Sequence, residues 1–345
     1  MTGSLKVRVA QVVRETEDAR SLVLEPAEGQ EDRFSYRPGQ FLTIRVPAGE
    51  GWAARCYSLC SSPEVDDLLK VTVKRVAGGL GSNWICDNVT EGDVLEVLRP
   101  AGAFTPASLD ADFLLVAAGS GITPVLSILK SALARGQGKI TLLYANQDER
   151  SVIFAEELRE IVAAHPGRVS VLHWLVSVQG LPTTAALRAL AEPFTGREAF
   201  VCGPGPFMDA ATEALTGLGM PAERVHVEKF FSLGGDPFAE SEPEPETGEG
   251  QGSVEVEVEV DLDGKASTVT WSGSGYLLDA LLRAGLDAPF SCREGSCSAC
   301  ACVVLEGEVT LDANTVLDDQ DLADGLILAC QARPLSDRLK ISYDG

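Results

Sequence analysis

Four cysteines toward the C-terminal end constrain this 345-residue chain more than any other feature. Cys292, Cys297 and Cys300 form a C-x4-C-x2-C run and Cys330 stands alone downstream, the spacing that holds a [2Fe–2S] cluster. Three thiolates from one tight loop, separated by Gly295 and the small residues Ser296, Ser298 and Ala299, can wrap two irons with little obstruction. The fourth thiolate must return from elsewhere in the fold. Thiolates are soft ligands that suit an iron–sulfur cluster or zinc. Zinc sites more often pair two C-x2–4-C knuckles, and no second knuckle surrounds Cys330. The pattern therefore points to a protein that moves single electrons. Cys302 is expected to be a small packing residue, because four ligands already complete the set.

The length implies roughly two to three domains, and a hydrophobic content of 45% suffices for packed cores. No apolar run approaches the ~20 residues that span a bilayer, so no membrane insertion is expected. The first residues enter an alternating pattern without the charged-then-apolar signature of a secretory signal. Nine cysteines are an odd count, and with four assigned, Cys56, Cys60, Cys86, Cys202 and Cys302 read as reduced thiols of a cytoplasmic protein, with Cys56, Cys60 and Cys86 expected to be small buried packing residues. A net charge of −23 argues against nucleic acid or an anionic membrane as partner. Residues 253–345 hold −11 of it and residues 236–252 another −6. That acidity is either a solvated face or a surface steering a basic redox partner.

The organisation is multidomain. Residues 1–107 contain short β-like runs (KVRVAQVV, SLVLEP, QFLTIRV, LLKVTVKRV, DVLEVLRP) punctuated by turn signals, the grammar of an antiparallel β-barrel. Over 108–233 apolar strands alternate with helical patterns at 124–135, 153–164, about 183–191 and 205–217, which implies a parallel α/β sheet. Residues 234–252, rich in Pro, Glu and Gly, bury too little to offset their ordering entropy and are expected to be a mobile linker. In 253–345, Val254, Val256, Val258 and Val260 alternate with acids, and 276–287 reads as a short helix leading into the cysteine loop.

Two glycine-rich turns and one strand carry further chemistry. Gly119-Ser120-Gly121-Ile122-Thr123-Pro124 ends a strand and opens a helix, where free N–H groups and a positive dipole end suit a phosphate. It departs from the G-x-G-x-x-G fingerprint, so a nucleotide site and a structural turn both stand. Arg55, Tyr57 and Ser58 combine a phosphate fork, an aromatic face and a hydroxyl, with Arg55 and Tyr57 on one side of a strand. An ordinary polar strand face is the alternative. Gly78–Ser82 is either a second phosphate-contacting turn or a flexible hairpin. His165, His173 and His226 fall beside core strands or helix ends and carry no motif.

In this order the elements resemble the ferredoxin–NADP reductase-like flavoproteins, whose R-x-Y-S, G-S-G-I-T-P and C-G-P motifs match Arg55–Ser58, Gly119–Pro124 and Cys202-Gly203-Pro204. The cysteine pattern adds a fused plant-type ferredoxin domain of α+β, β-grasp fold. Stretches such as LLYANQDERSVIF and CREGSCSACACVVLEGEV are most similar to the reductase components of 3-ketosteroid 9α-hydroxylases. The resemblance implies FAD between barrel and α/β domain, with Arg55 on the pyrophosphate and Tyr57 stacked on the ring. Ser58 would approach the ring's reactive edge, and Gly81 and Ser82 the phosphate end. Thr123 would touch the flavin, with Cys202 and Glu228 at the flavin–nicotinamide contact. Glu228, Lys229 and Phe230 equally suit a terminal core strand.

Gly119, Gly121, Thr123, Cys202, Gly203 and Pro204 would hold the nicotinamide nucleotide. Asp148, in the loop after the second α/β strand, favours NADH by accepting ribose hydroxyls and repelling a 2′-phosphate, while Arg150 and Ser151 leave NADPH open. The implied activity is an NAD(P)H-dependent reductase that feeds a terminal oxygenase, with the Rieske oxygenase of a steroid hydroxylase favoured as partner. The alternatives are the reductase subunit of phenylacetyl-CoA epoxygenase, or of another aromatic-degradation oxygenase, and a non-catalytic iron–sulfur redox sensor.

Overall fold

Alternating apolar residues build the first layer of the molecule. In the computed structural model, which describes residues 4–230, 233, 236–238, 255–272, 275–317 and 319–344, six antiparallel strands wrap one core. They are β1 (Leu5–Arg14), β2 (Ala19–Pro26), β3 (Phe41–Ala48), β4 (Gly51–Ser58), β5 (Leu69–Lys74) and β6 (Val94–Val97). Val7, Leu22, Leu24, Leu42, Ile44, Val71 and Val73 point inward and are fully buried. The order is β4-β3-β6-β1-β2-β5, and a bridge between Leu59 and Val71 joins the two edges. The sheet therefore closes as a barrel, which removes its free edges. Helix α1 (Leu80–Asn88) plugs one end. Gly78–Ser82 thus opens a helix and is not a hairpin.

Continuous apolar runs build the second unit. β7 (Phe113–Ala118) and β8 (Ile140–Asn146) are buried at every position, as expected of central parallel strands covered on both faces. With β9 (Val169–Leu175), β10 (Glu198–Cys202) and β11 (Val225–Glu228) they form a parallel sheet of order β11-β10-β7-β8-β9. Helices α2 (Ile122–Arg135), α3 (Ala155–Ala164), α4 (Val176–Gln179), α5 (Thr184–Ala191) and α6 (Gly205–Gly217) connect them. The strand order changes direction at β7. The turns after β7 and β10 therefore flank a topological switch point, where such sheets bind ligands.

The third unit is a small α+β fold. It comprises β12 (Val256–Leu262), β13 (Lys265–Trp271), α7 (Leu277–Arg283), β14 (Ala301–Glu306), β15 (Val309–Leu311), α8 (Asp319–Ala323), β16 (Leu326–Leu328), β17 (Ala332–Pro334) and β18 (Arg338–Ser342). β12 pairs in parallel with β18 and antiparallel with β13, and α7 buries Leu277, Leu278 and Leu281 against the sheet. This unit's apolar core is continuous with Phe41, Ala54, Leu98 and Ala101 of the barrel. The start of the expected linker packs there too. Asp236 pairs with Arg45 at 2.7 Å, and Phe238 is buried beneath the same guanidinium. Residues 239–254, most of that segment, lie outside the described residues. Among the described residues no helix is long and apolar enough to cross a membrane.

Candidate functional site

Strand β4 presents Arg55, Cys56, Tyr57 and Ser58 to a cleft of about 400 Å³ between the barrel and the α/β unit. The far wall comes from Ser120 and Thr123 in the turn after β7, and Phe230 closes one end. Three features of the cleft fit a flavin nucleotide. Among the described residues the buried Ser58 hydroxyl has no hydrogen-bond partner, a costly state that a ligand heteroatom relieves. A Cβ at Gly81 would lie 2.7 Å from Arg55 Cγ and 3.2 Å from Tyr57 Oη, so glycine alone lets the first turn of α1 close on β4. That turn also has no side-chain cap, which leaves its amides free for a phosphate. Arg55 donates to the carbonyls of Ala54 at 2.7 Å and Leu233 at 3.4 Å, which holds the guanidinium at the cleft wall.

The α/β side is built by close backbone approach. A Cβ at Gly121 would sit 2.1 Å from the Cys202 carbonyl oxygen, so the turns after β7 and β10 touch. Thr123, nearly inaccessible, donates to the Ser120 carbonyl at 3.0 Å. Gly203 packs against Ala118 and Phe207, and Pro204 leads into α6. Cys202 is fully buried behind the Gly121 turn, and burial pushes its thiol well above the ordinary range. Parallel pairing places Glu228 beside Cys202, and burial raises the Glu228 carboxyl to about 8. Asp148 caps a short turn, accepting from the Ser151 amide at 2.9 Å, with Glu149 and Arg150 exposed next to it. Of the residues singled out in the sequence, Arg55, Tyr57, Ser58, Gly81, Ser82 and Thr123 share the cleft. Gly119, Gly121, Cys202, Gly203 and Pro204 form the turns behind it, and Asp148 lies in the loop beyond β8.

Three cleft residues, Thr72, Lys74 and Val76, were not singled out in the sequence. Thr72 and Lys74 project from β5 into the cleft, and Lys74 pairs with Asp18 at 3.6 Å. Their i, i+2 spacing beside the core residues Val71 and Val73 was the available signal, but it is indistinguishable from a solvated strand face. Cys56 also differs from the small buried packing residue its sequence context suggested. It lines the cleft and a second, narrower gap, where it meets Phe41, Ser58, Glu228, Phe230 and Cys297. Burial raises its thiol to about 11, so it is neutral.

Cys297 belongs to the cysteine loop. All four candidate ligands are buried, at 6% exposure or less. The loop turns through left-handed backbone at Arg293, Gly295 and Ser298, conformations that cost energy for the two non-glycines. The turns aim amides at sulfur. Glu294 N and Ser296 N donate to Cys292 Sγ at 3.3 and 3.4 Å, Cys292 N to Cys297 Sγ at 3.3 Å, and Cys330 N to Cys300 Sγ at 3.5 Å. Hydrogen bonds from the neighbouring Cys297 and Cys330 thiols pull Cys292 far below the usual thiol range. Four thiols ringed by amide donors fit an anionic iron–sulfur cluster held by four thiolates. Among the described residues no three His, Cys, Asp or Glu side chains are arranged to hold a metal ion; a two-iron cluster is wider than one ion and needs no single point of convergence. Cys302 is buried beside Tyr343 and Cys300, as a packing residue should be.

Comparison with known proteins assigns each unit. Residues 6–105 match an oxidoreductase FAD-binding domain, 115–213 an oxidoreductase NAD-binding domain and 260–335 a 2Fe-2S iron-sulfur cluster binding domain. The chain is 55% identical to the ferredoxin reductase component of 3-ketosteroid-9-alpha-monooxygenase from Mycobacterium tuberculosis, over 99% of this chain and 96% of that one. It is 32% identical to one of the subunits of 1,2-phenylacetyl-CoA epoxidase from Escherichia coli, over 100% of this chain and 99% of that one. Phthalate dioxygenase reductase, described as a modular structure for electron transfer from pyridine nucleotides to [2Fe-2S], superimposes with a TM-score of 0.56. It is 25% identical, over 99% of this chain and 98% of that one.

Proposed function

The chain belongs to the family of ferredoxin reductase components of 3-ketosteroid-9-alpha-monooxygenase, and from that premise we propose that its electrons go to a Rieske-type oxygenase that hydroxylates a 3-ketosteroid in sterol catabolism. As a member it is an NAD(P)H oxidoreductase with FAD, NAD and [2Fe–2S] domains that passes electrons to a terminal oxygenase. A redox sensor would need no hydride site, so that alternative is set aside. FAD, when bound, supplies the conversion of a two-electron hydride into single electrons, which a [2Fe–2S] centre carries one at a time.

One observation carries the functional reading: the flavin-motif strand, the nucleotide turn and the cluster ligand Cys297 border two adjoining cavities that share Cys56, Ser58 and Phe230. Arg55 and the first turn of α1, with Gly81 and Ser82, hold the pyrophosphate, Tyr57 covers the ring, and the Ser58 hydroxyl donates to its edge. Thr123 with the Gly119–Gly121 and Cys202–Pro204 turns positions the nicotinamide nucleotide. Glu228, neutral below about 8, keeps a proton on its carboxyl beside the reacting groups. Cys292, Cys297, Cys300 and Cys330 hold the cluster.

Asp148 and Glu149 set a preference for NADH, since an acid at the ribose repels a 2′-phosphate. The five cysteines outside the proposed cluster set form no disulfide among the described residues, which supports a cytoplasmic setting. The experiment pairs the purified protein with a 3-ketosteroid Rieske oxygenase and, separately, with a di-iron epoxygenase. Hydroxylated steroid should form with the first, driven by NADH with a higher kcat/KM than NADPH. Product only with the second would overturn the steroid assignment, and an NADPH preference would move the ribose contact to Arg150.

A further inference from the structure

Three polar side chains from two domains meet under the barrel. Thr43 on β3 and Cys56 on β4 face each other in the antiparallel ladder. Between them sits Ser291 of the ferredoxin unit, its hydroxyl 2.8 Å from Thr43 Oγ1 and 3.5 Å from Cys56 Sγ. Thr43 and Ser291 are each 1% exposed. The placement is pointed at both ends, for Cys56 lies between Arg55 and Tyr57, and Ser291 immediately precedes Cys292. Around this buried centre lies an ionic ring. Arg33 grips both oxygens of Asp287 at 2.7 and 2.9 Å, and Arg99 reaches the Asp287 carbonyl at 2.9 Å and Asp263 at 3.3 Å.

We propose that Thr43, Cys56 and Ser291 are positioning residues that seat the ferredoxin domain on the barrel in one register, and that Arg33 and Arg99 on Asp287 are the salt-sensitive rim of that seat. This rests on β4 being the flavin strand and residues 292–300 the cluster loop. A buried hydroxyl without a partner is penalised, so any slip of the domain that keeps the interface dry is selected against at Ser291, whose partners both lie on the barrel, while Thr43 would keep only its 3.7 Å contact with Cys56 Sγ. The apolar contacts of Phe41, Leu98 and Ala101 have no such directionality and give adhesion without register. Arg33 and Asp287 are 37% and 35% exposed and Arg99 is 17% exposed, so the rim reaches solvent and is screened by salt. The seat forms no bond with the electron carriers; it holds the two protein segments that carry them.

The test uses the full holoprotein and the variants T43V/S291A, S291T and D287N. Hydrogen exchange of segment 286–291 should rise about tenfold in T43V/S291A, the factor expected when an interdomain hydrogen bond is lost. Stopped-flow traces should show cluster reduction by NADH slowed by about the same factor, with flavin reduction and both midpoint potentials unchanged. S291T, which keeps the hydroxyl, should match the parent in both readouts. Raising salt from about 0.05 to 0.5 M should slow cluster reduction in the parent protein but not in D287N. Exchange and cluster reduction both within about twofold of the parent in T43V/S291A, with flavin reduction normal, would overturn the seat alone. Absence of flavin reduction in the parent would instead overturn the functional reading beneath it.

Discussion

The cleft proposed for the flavin is assembled from β4, β5, the first turn of α1 and the turn after β7, whereas the proposed cluster loop is one short run, Cys292 to Cys300, closed by Cys330. The cleft relies on regular secondary structure, and its chemistry is exposed along one wall. The loop instead buries every ligand and turns through left-handed residues. The difference follows from what each must hold. A dinucleotide is bound over its whole length by many weak contacts, so many elements share the task. A cluster is held by four strong bonds, so local strain at Arg293 and Ser298 is tolerable where metal ligation offsets it.

If the two sites are this separate, each can be broken alone. The largest effect is expected from Cys330→Ala, which should abolish the iron–sulfur EPR signal while the flavin absorbance stays. Cys302→Ala should leave the signal in place, and its loss there would mean that the ligand set is wrong.

Glu228 sharpens the contrast, because this half-buried acid lines the narrow gap between β4 and Cys297 and not the cleft itself. Its carboxyl is raised from 4.5 to about 8 in the folded chain. Below 4.5 the folded and unfolded forms are both protonated and nothing is lost. As pH rises toward 8 the unfolded form ionises first, so stability falls, and above 8 the loss is constant. Glu228→Gln should therefore match the parent near pH 4 and exceed it on the order of a few kcal/mol near pH 8. Thermal melts across that range check the sign. A constant offset at all pH would show that the carboxyl is not raised.

Gly121→Ala tests the contact between the two α/β turns. Its Cβ would stand 2.1 Å from the Cys202 oxygen, so a loss of about 2–3 kcal/mol is expected from overpacking. Denaturant melts of the flavin domains should show it, with the cluster signal intact. Arg55→Ala should weaken FAD by about 1.5–3 kcal/mol, the range for a hydrogen bond to a charged group. Lysine should restore it only in part, because it lacks the planar fork. FAD titration of the apoprotein decides, and unchanged affinity would remove Arg55 from the site.

Local chemistry made much of this molecule readable from its residues. The proposed cluster ligands follow from thiol spacing, and the barrel and parallel sheet follow from periods of two and from apolar runs set between helical patterns. Arg55–Ser58 and Gly119–Pro124 stood out because their residue types suit phosphate and ring contacts at a strand or a strand end. What stayed hidden depends on residues far apart in the chain. Thr72 and Lys74 look like any polar strand face until the barrel closes and the α/β turn caps them. Gly78–Ser82 became a helix start because α1 has a barrel end to plug. Cys56 looked like packing, yet it borders the narrow gap with Cys297 and lies against Ser291, 235 positions away, only because the third unit is brought against β4. Periodicity reports which face of an element is buried. It carries no information on which distant segment covers that face, and tertiary structure alone decided how the flavin strand meets the cluster loop.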